Sequence, residues 1–166
     1  MKRCANGGNM SPIDHQESRR LQATPGEQAS WQHLSDLTDQ EFCEAFESLR
    51  IPKEVFHHSE HIRLAWIYSS HYAEEEAAAR MAQGIRAFAR HHGVEAKYHH
   101  TITHAWMRLV LHGIRTSPRA SCFRCFADAN PHLLNQRLLG DYYSSEALHL
   151  NAARTGWIEA DLHPLP

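Results

Sequence analysis

Four successive stretches between Thr38 and Thr116 carry apolar residues at the three- and four-residue spacing of a helix, with little chain between them. Such stripes can be buried only against one another, and short connections make successive helices antiparallel neighbours. The first stretch opens on Thr38-Asp39-Gln40-Glu41, in which a Thr N-cap and a Glu three residues later form a capping box; Phe42, Ala45, Phe46 and Leu49 follow at helical spacing until Pro52 stops the helix. The second runs from about Phe56 to Tyr72 and turns Ile62, Ala65 and Trp66 inward. The third, Glu74 to His92, buries Ala78, Met81, Ile85, Phe88 and Ala89 and ends on Gly93 as the residue just past its C-terminus. The fourth begins at His99 or His100 and reaches about Arg115, with Ile102, Ala105, Trp106, Leu109, Val110 and Ile114 as its apolar set; Ser117-Pro118 closes it.

Shorter helical stretches are expected over Ser121–Ala129, over Leu133–Leu139 and from Ser144 to near Arg154, before an extended, Pro-limited end from Trp157 to Pro166. No alternating pattern of strand length, internal repeat or sustained heptad is present. The expected fold is all-α, a compact helical bundle of about five to seven helices, with Trp66, Phe88, Trp106 and Leu109 in its core. Residues 1 to 34 are rich in Asn, Gly, Ser, Gln and Pro and show no apolar period, so they are expected to be a disordered N-terminal tail, leaving 35 to 166 as a single helical domain.

Composition narrows the partners. The chain has 166 residues, 42% apolar and 22% charged, with a formal net charge of -2, so no dominant basic face for nucleic acid or an anionic membrane is expected. No run approaches the ~18 apolar residues of a membrane helix. The start, Met-Lys-Arg-Cys, turns polar through Asn6 and Gly7, which is not the pattern of a secretory signal. The four cysteines are not spaced as a disulfide framework, and a reducing cytoplasm is the expected setting.

The unusual count is 15 histidines. Most suit ordinary positions, as His91-His92 does at a helix C-terminus. The strongest local pattern is Phe56-His57-His58-Ser59-Glu60-His61-Ile62-Arg63. Positions i and i+3 on a helix lie on one face with Cβ atoms about 5–6 Å apart, so His58 and His61 can aim two imidazoles at one ion. A second pattern, Lys97-Tyr98-His99-His100-Thr101-Ile102-Thr103-His104, opens the fourth helix. Either His99 or the i,i+4 pair His100 and His104 could complete the site. No Glu follows His100, so the zincin motif is absent.

These two patterns, with Asn130-Pro131-x-Leu-Leu, Tyr142-Tyr143-Ser144 and the closing Trp157–Pro164 stretch, resemble a widespread, largely uncharacterised family of small bacterial proteins with F-x-H-x-x-H-x-R and K-[YF]-H-x-T-[IL]-T motifs. The resemblance spans roughly residues 42 to 164. It implies a metal site on His58, His61 and His99, while His57, His100 and His104 fall at variable positions. Three imidazoles with open positions make a catalytic type of centre for a divalent transition metal; zinc, iron and copper all accept imidazole.

The expected function is a metal-dependent enzyme acting on a small-molecule substrate, hydrolytic or oxidative. The alternative is a metal-free helical ligand-binding or protein-interaction module with structural histidines. Arg63 and Thr103 are the candidate catalytic residues: Arg63 could hold an anion or pair with a carboxylate, and Thr103, like Thr101, could orient a histidine or cap a turn. Glu60 is expected to be solvated. Cys122-Phe-Arg-Cys125 is a lone Cys-x-x-Cys with no second half of a zinc site and no βαβ context, so two helix cysteines facing the core or a partner are expected there.

Overall fold

The computed structural model describes residues 34–166, which fall in one compact unit. The expected tail lies outside the described residues except for Leu34, which is buried and belongs to the core. Seven α-helices occur among the described residues: α1 Asp39–Glu47, α2 His58–His71, α3 Glu74–His91, α4 His100–Thr116, α5 Phe123–Ala129, α6 Ser145–His149 and α7 Asn151–Thr155. Single 3-10 segments cover Glu95–Lys97, Pro131–Leu134 and Gln136–Asp141, and no strand occurs among the described residues. The all-α expectation holds. No described helix is long and apolar enough to cross a membrane.

Local chemistry sets the helix ends. Thr38 Oγ1 accepts the Glu41 N–H at 3.2 Å, and the Glu41 carboxylate accepts the Thr38 N–H at 2.8 Å. The α1 terminus differs from the expected stop at Pro52. The helix ends at Glu47, because Leu49 N–H bonds Phe46 O at 2.9 Å and Arg50 N–H bonds Ala45 O at 3.0 Å around a left-handed Leu49, φ 58°. This is the Schellman closure, made here by a residue for which that conformation costs about 1–2 kcal/mol. The early turn delivers Ile51, fully buried, to the core. The same closure ends α3 with the expected glycine: Gly93 has φ +65°, and Gly93 and Val94 N–H bond Arg90 O and Ala89 O.

The α2–α4 pair is the centre of the bundle, with α3 packed on both. Trp66, Phe88, Trp106 and Leu109 are all buried. Phe46 stacks on Phe56 and Phe88 with ring centroids 5.1 and 5.6 Å apart, and a Cβ at Gly84 would come within 2.8 Å of the Phe46 ring, so α3 needs a glycine there.

The C-terminal third is more broken than its apolar pattern suggests. Leu133–Leu139 is not one helix but parts of two 3-10 segments, split at Asn135, whose side chain accepts the Arg137 N–H. The stretch from Ser144 divides at Leu150, which takes an extended ψ of 138°. The chain then returns along α4. Thr101 Oγ1 donates to Gly156 O at 2.8 Å and accepts the Ile158 N–H at 3.2 Å, and Tyr143 OH donates to Ile158 O at 3.1 Å.

Candidate functional site

The first turns of α2 and α4 and the Gln136–Gly140 stretch face one cleft of about 830 Å³. His58, His61 and His99 all line it. So do Lys97, Tyr98, Thr103, Trp106 and Arg137, and no Asp or Glu is among the lining residues.

Each of the three imidazoles is oriented by a backbone carbonyl. His58, half-buried against Trp106 at 4.5 Å between ring centroids, places Nε2 2.9 Å from Leu133 O. A carbonyl only accepts, so Nε2 carries the proton and Nδ1 keeps a bare lone pair. His61 packs on Phe56 and donates from Nδ1 to His57 O at 2.7 Å, which leaves the Nε2 lone pair. His99 donates from Nε2 to Leu148 O at 2.8 Å; its Nδ1 is the N-cap acceptor of α4, taking the Ile102 N–H at 3.3 Å. The carbonyl anchor is the pattern of ligand histidines, whose second ring N–H is held by an outer acceptor. The His99 lone pair, however, is occupied by the cap. As the side chains stand, no group of three or more His, Cys, Asp or Glu among the described residues is arranged to hold a metal ion.

The two candidate catalytic residues part company. Thr103 lines the cleft and back-bonds from Oγ1 to His99 O at 2.9 Å. Arg63 does not line it. Its guanidinium is buried and donates to Asp39, Leu34 O and Leu37 O, tying the start of the described chain to α2. Glu60 accepts the His57 N–H at 2.9 Å as part of the α2 cap.

The other histidine pair lies outside this cleft's lining. His100 and His104 rings lie 4.2 Å apart between centroids, tilted by 36°, but His100 Nδ1 accepts from Arg86 at 3.2 Å, and that fixed cation opposes a divalent ion beside it. His104 Nε2 is buried without a hydrogen-bond partner.

Lys97, Tyr98 and Arg137 are cleft residues that the sequence did not single out, and Trp106, buried as expected, also lines the cleft. Lys97 and Tyr98 stand inside the second motif, which is the signal that pointed to them; Arg137 has none, because the fold of the 131–141 stretch brings it there. Arg86 lies over the Tyr98 ring at 4.6 Å, and burial pushes the Tyr98 phenol up.

Burial also holds His58, His61, His100 and His104 below the usual imidazole range; for His58 and His61 the bond to a carbonyl acts in the opposite sense. A depressed folded-state value means the unfolded chain binds the proton first on acidification. The stability these groups contribute is therefore complete above the unfolded value near 6.5 and is lost as pH falls below it. Urea unfolding at pH 7.5, 6.5 and 5.5 should show a midpoint that falls between the last two. A midpoint that stays level or rises on acidification would contradict the burial of these rings.

Compared with protein-family models, with curated proteins and with solved structures, the chain matches none of them.

Proposed function

We propose that this cleft is the site of a metal-dependent enzyme that acts on a small, anionic molecule. One observation carries the reading: three histidines line a single cleft, and each is anchored through one ring N–H to a backbone carbonyl. His58 Nδ1 and His61 Nε2 are the free donors. His99 joins them by exchanging its 3.3 Å cap bond for the ion. Zinc, iron or copper held there would supply Lewis-acid or redox chemistry, for a hydrolytic or an oxidative reaction. Lys97 and Arg137, with no carboxylate among the lining residues, suit the negative charge of the substrate. Trp106 and Leu139 form an apolar wall. A cytoplasmic setting goes with this reading, since the cysteine spacing is not that of a disulfide framework.

The occupied nitrogens of His99 favour a second reading, a metal-free binding site for the same class of anion. Metal analysis of the untagged protein separates the two. The first requires about one equivalent of bound transition metal, with affinity reduced about 100-fold or more in His58→Ala and His61→Ala, since each removes a ligand outright. Absence of metal in the purified protein, together with zinc, iron and copper titrations that the two substitutions leave unaltered, would abandon the metal and leave the binding site.

A further inference from the structure

The Cys122-Phe-Arg-Cys125 pair stands apart from the histidine cleft's lining, and of the two settings expected for it, the core or a partner, it does not take the core. The helix starts at Phe123, not at Ser121, which makes Cys122 the N-cap of α5. Its Sγ accepts the Cys125 N–H at 3.3 Å and lies 3.0 Å from Cys125 Sγ. Cys122 is partly exposed and Cys125 exposed. Beneath them the helix is anchored. Phe126 is fully buried, Phe123 and Phe126 each lie 6.1 Å from Trp66 between centroids, and Asn130 closes the far end with a bond to Phe126 O at 3.0 Å. Gly113 lets the Phe126 ring seat on α4, since a Cβ there would meet it at 3.1 Å. The sulfurs are thus held in contact on a fixed scaffold and reachable from solvent. A disulfide is about 2.05 Å long, so joining them takes a small side-chain rotation.

The two sulfurs differ. The Sγ–Sγ contact, and next the Cys125 backbone N–H, hold the Cys122 thiol below the usual range, while the same contact holds Cys125 above it; Asp39 opposes the first effect and Ser121 the second. Cys125 also borders a surface depression of about 390 Å³ together with Thr116, Ser117 and Arg119.

We propose that Cys122 and Cys125 form a thiol–disulfide exchange site for low-molecular-weight disulfides of the glutathione type, with Cys122 the attacking sulfur and Cys125 the resolving one. The Cys122 thiolate attacks one sulfur of the incoming disulfide. That disulfide bond breaks, and the first thiol leaves with the electron pair and takes up a proton, giving a mixed disulfide on Cys122. Cys125 loses its proton to solvent and attacks the Cys122 sulfur, expelling the second thiol. The protein dithiol is oxidised by two electrons to an internal disulfide, and one small disulfide is reduced to two thiols. Arg119, which borders the same depression as Cys125, offers a cation for a carboxylate of a glutathione-type molecule.

The test uses the full, untagged chain in mixtures of oxidised and reduced glutathione, trapped by alkylation and mapped by peptide mass spectrometry. The expected product is a Cys122–Cys125 disulfide within one chain. Cys125→Ser should instead accumulate glutathione on Cys122. Cys122→Ser retains a helix-capping oxygen and so keeps α5 folded, and it should slow modification at Cys125 about tenfold or more relative to Cys122 in the Cys125→Ser protein. Pairing of either cysteine with Cys4 or Cys43 in preference to its neighbour would overturn the proposal. So would equal glutathionylation rates in the two single variants, or a Cys122 no more reactive than Cys43, whose thiol burial pushes up to about 11.

Discussion

Replacing Arg63 with Met is expected to lower the unfolding free energy by about 3 kcal/mol, the lower end of the cost of removing one member of a buried ion pair. The guanidinium uses its donors on three groups. Nε and the NH2 group reach Asp39 Oδ1 at 2.8 and 2.7 Å, NH1 reaches Leu34 O at 2.8 Å, and NH2 also reaches Leu37 O at 2.6 Å. It also lies over the Phe42 ring at 4.6 Å. Met retains the aliphatic packing and removes all of these bonds. Asp39 keeps 27% of its side chain exposed, so water can solvate the carboxylate left behind, which is why the lower end applies. The measurement is urea unfolding of the full chain at pH 7.5. A loss below about 1 kcal/mol would mean that the Leu34–Thr38 segment contributes little to the fold and that the pair behaves as an exposed one.

The second large effect concerns Thr101, fully buried at the start of α4. Thr101→Val preserves shape and removes a hydroxyl that both donates to Gly156 O and accepts from the Ile158 N–H. Two backbone groups of the returning C-terminal segment then lose their partner, at about 1–3 kcal/mol for each group left buried and unsatisfied. Both bonds are only part-buried, so a total loss toward the lower end, about 2–4 kcal/mol, is expected, with faster proteolytic cleavage after Thr155, because the segment can recover its lost bonds only by moving into water. Thr101→Ser keeps the hydroxyl and should cost less than half as much. Equal losses in the Val and Ser proteins would assign the effect to the missing methyl group and not to the hydrogen bonds. The same clasp bears on the cleft, since the chain it tethers carries Leu148, whose carbonyl orients His99.

The bundle was readable because its signals are local. The Thr38 capping box, the apolar stripe of α4 and the glycine at Gly93 act within a turn or two of chain, and the structure carries them. The α2 and α3 helices depart from their expected stripes: α2 is buried all round from Ile62 to Tyr68, because it packs against α1, α3, α4 and α5 at once, and α3 buries Ala77 where Ala78 was expected. The stop of α1 was not readable from Pro52, because a left-handed Leu49 is an unfavourable local choice that burial of Ile51 outweighs. The weak helical stretch after Asn130 broke into short turns where Asn135 offered a side-chain acceptor to the backbone, whereas Ser144 capped a helix as expected and the later break fell at the extended Leu150.

The histidine pattern placed His58 and His61 one turn apart on a helix and left His99 and the His100 and His104 pair open as their complement; the choice of His99 rests on the family resemblance. What each ring presents to the cleft was decided only by tertiary structure. The tautomer of His58 depends on Leu133 O, 75 residues away, and that of His99 on Leu148 O, 49 residues away. The burial of Arg63 against Leu34 and the arrival of Arg137 opposite the motifs have the same origin. A helix is determined by residues three or four apart, and its own sequence states them. A proton's position on an imidazole is determined by whichever distant carbonyl the folded chain brings within about 3 Å, and only the completed packing selects it.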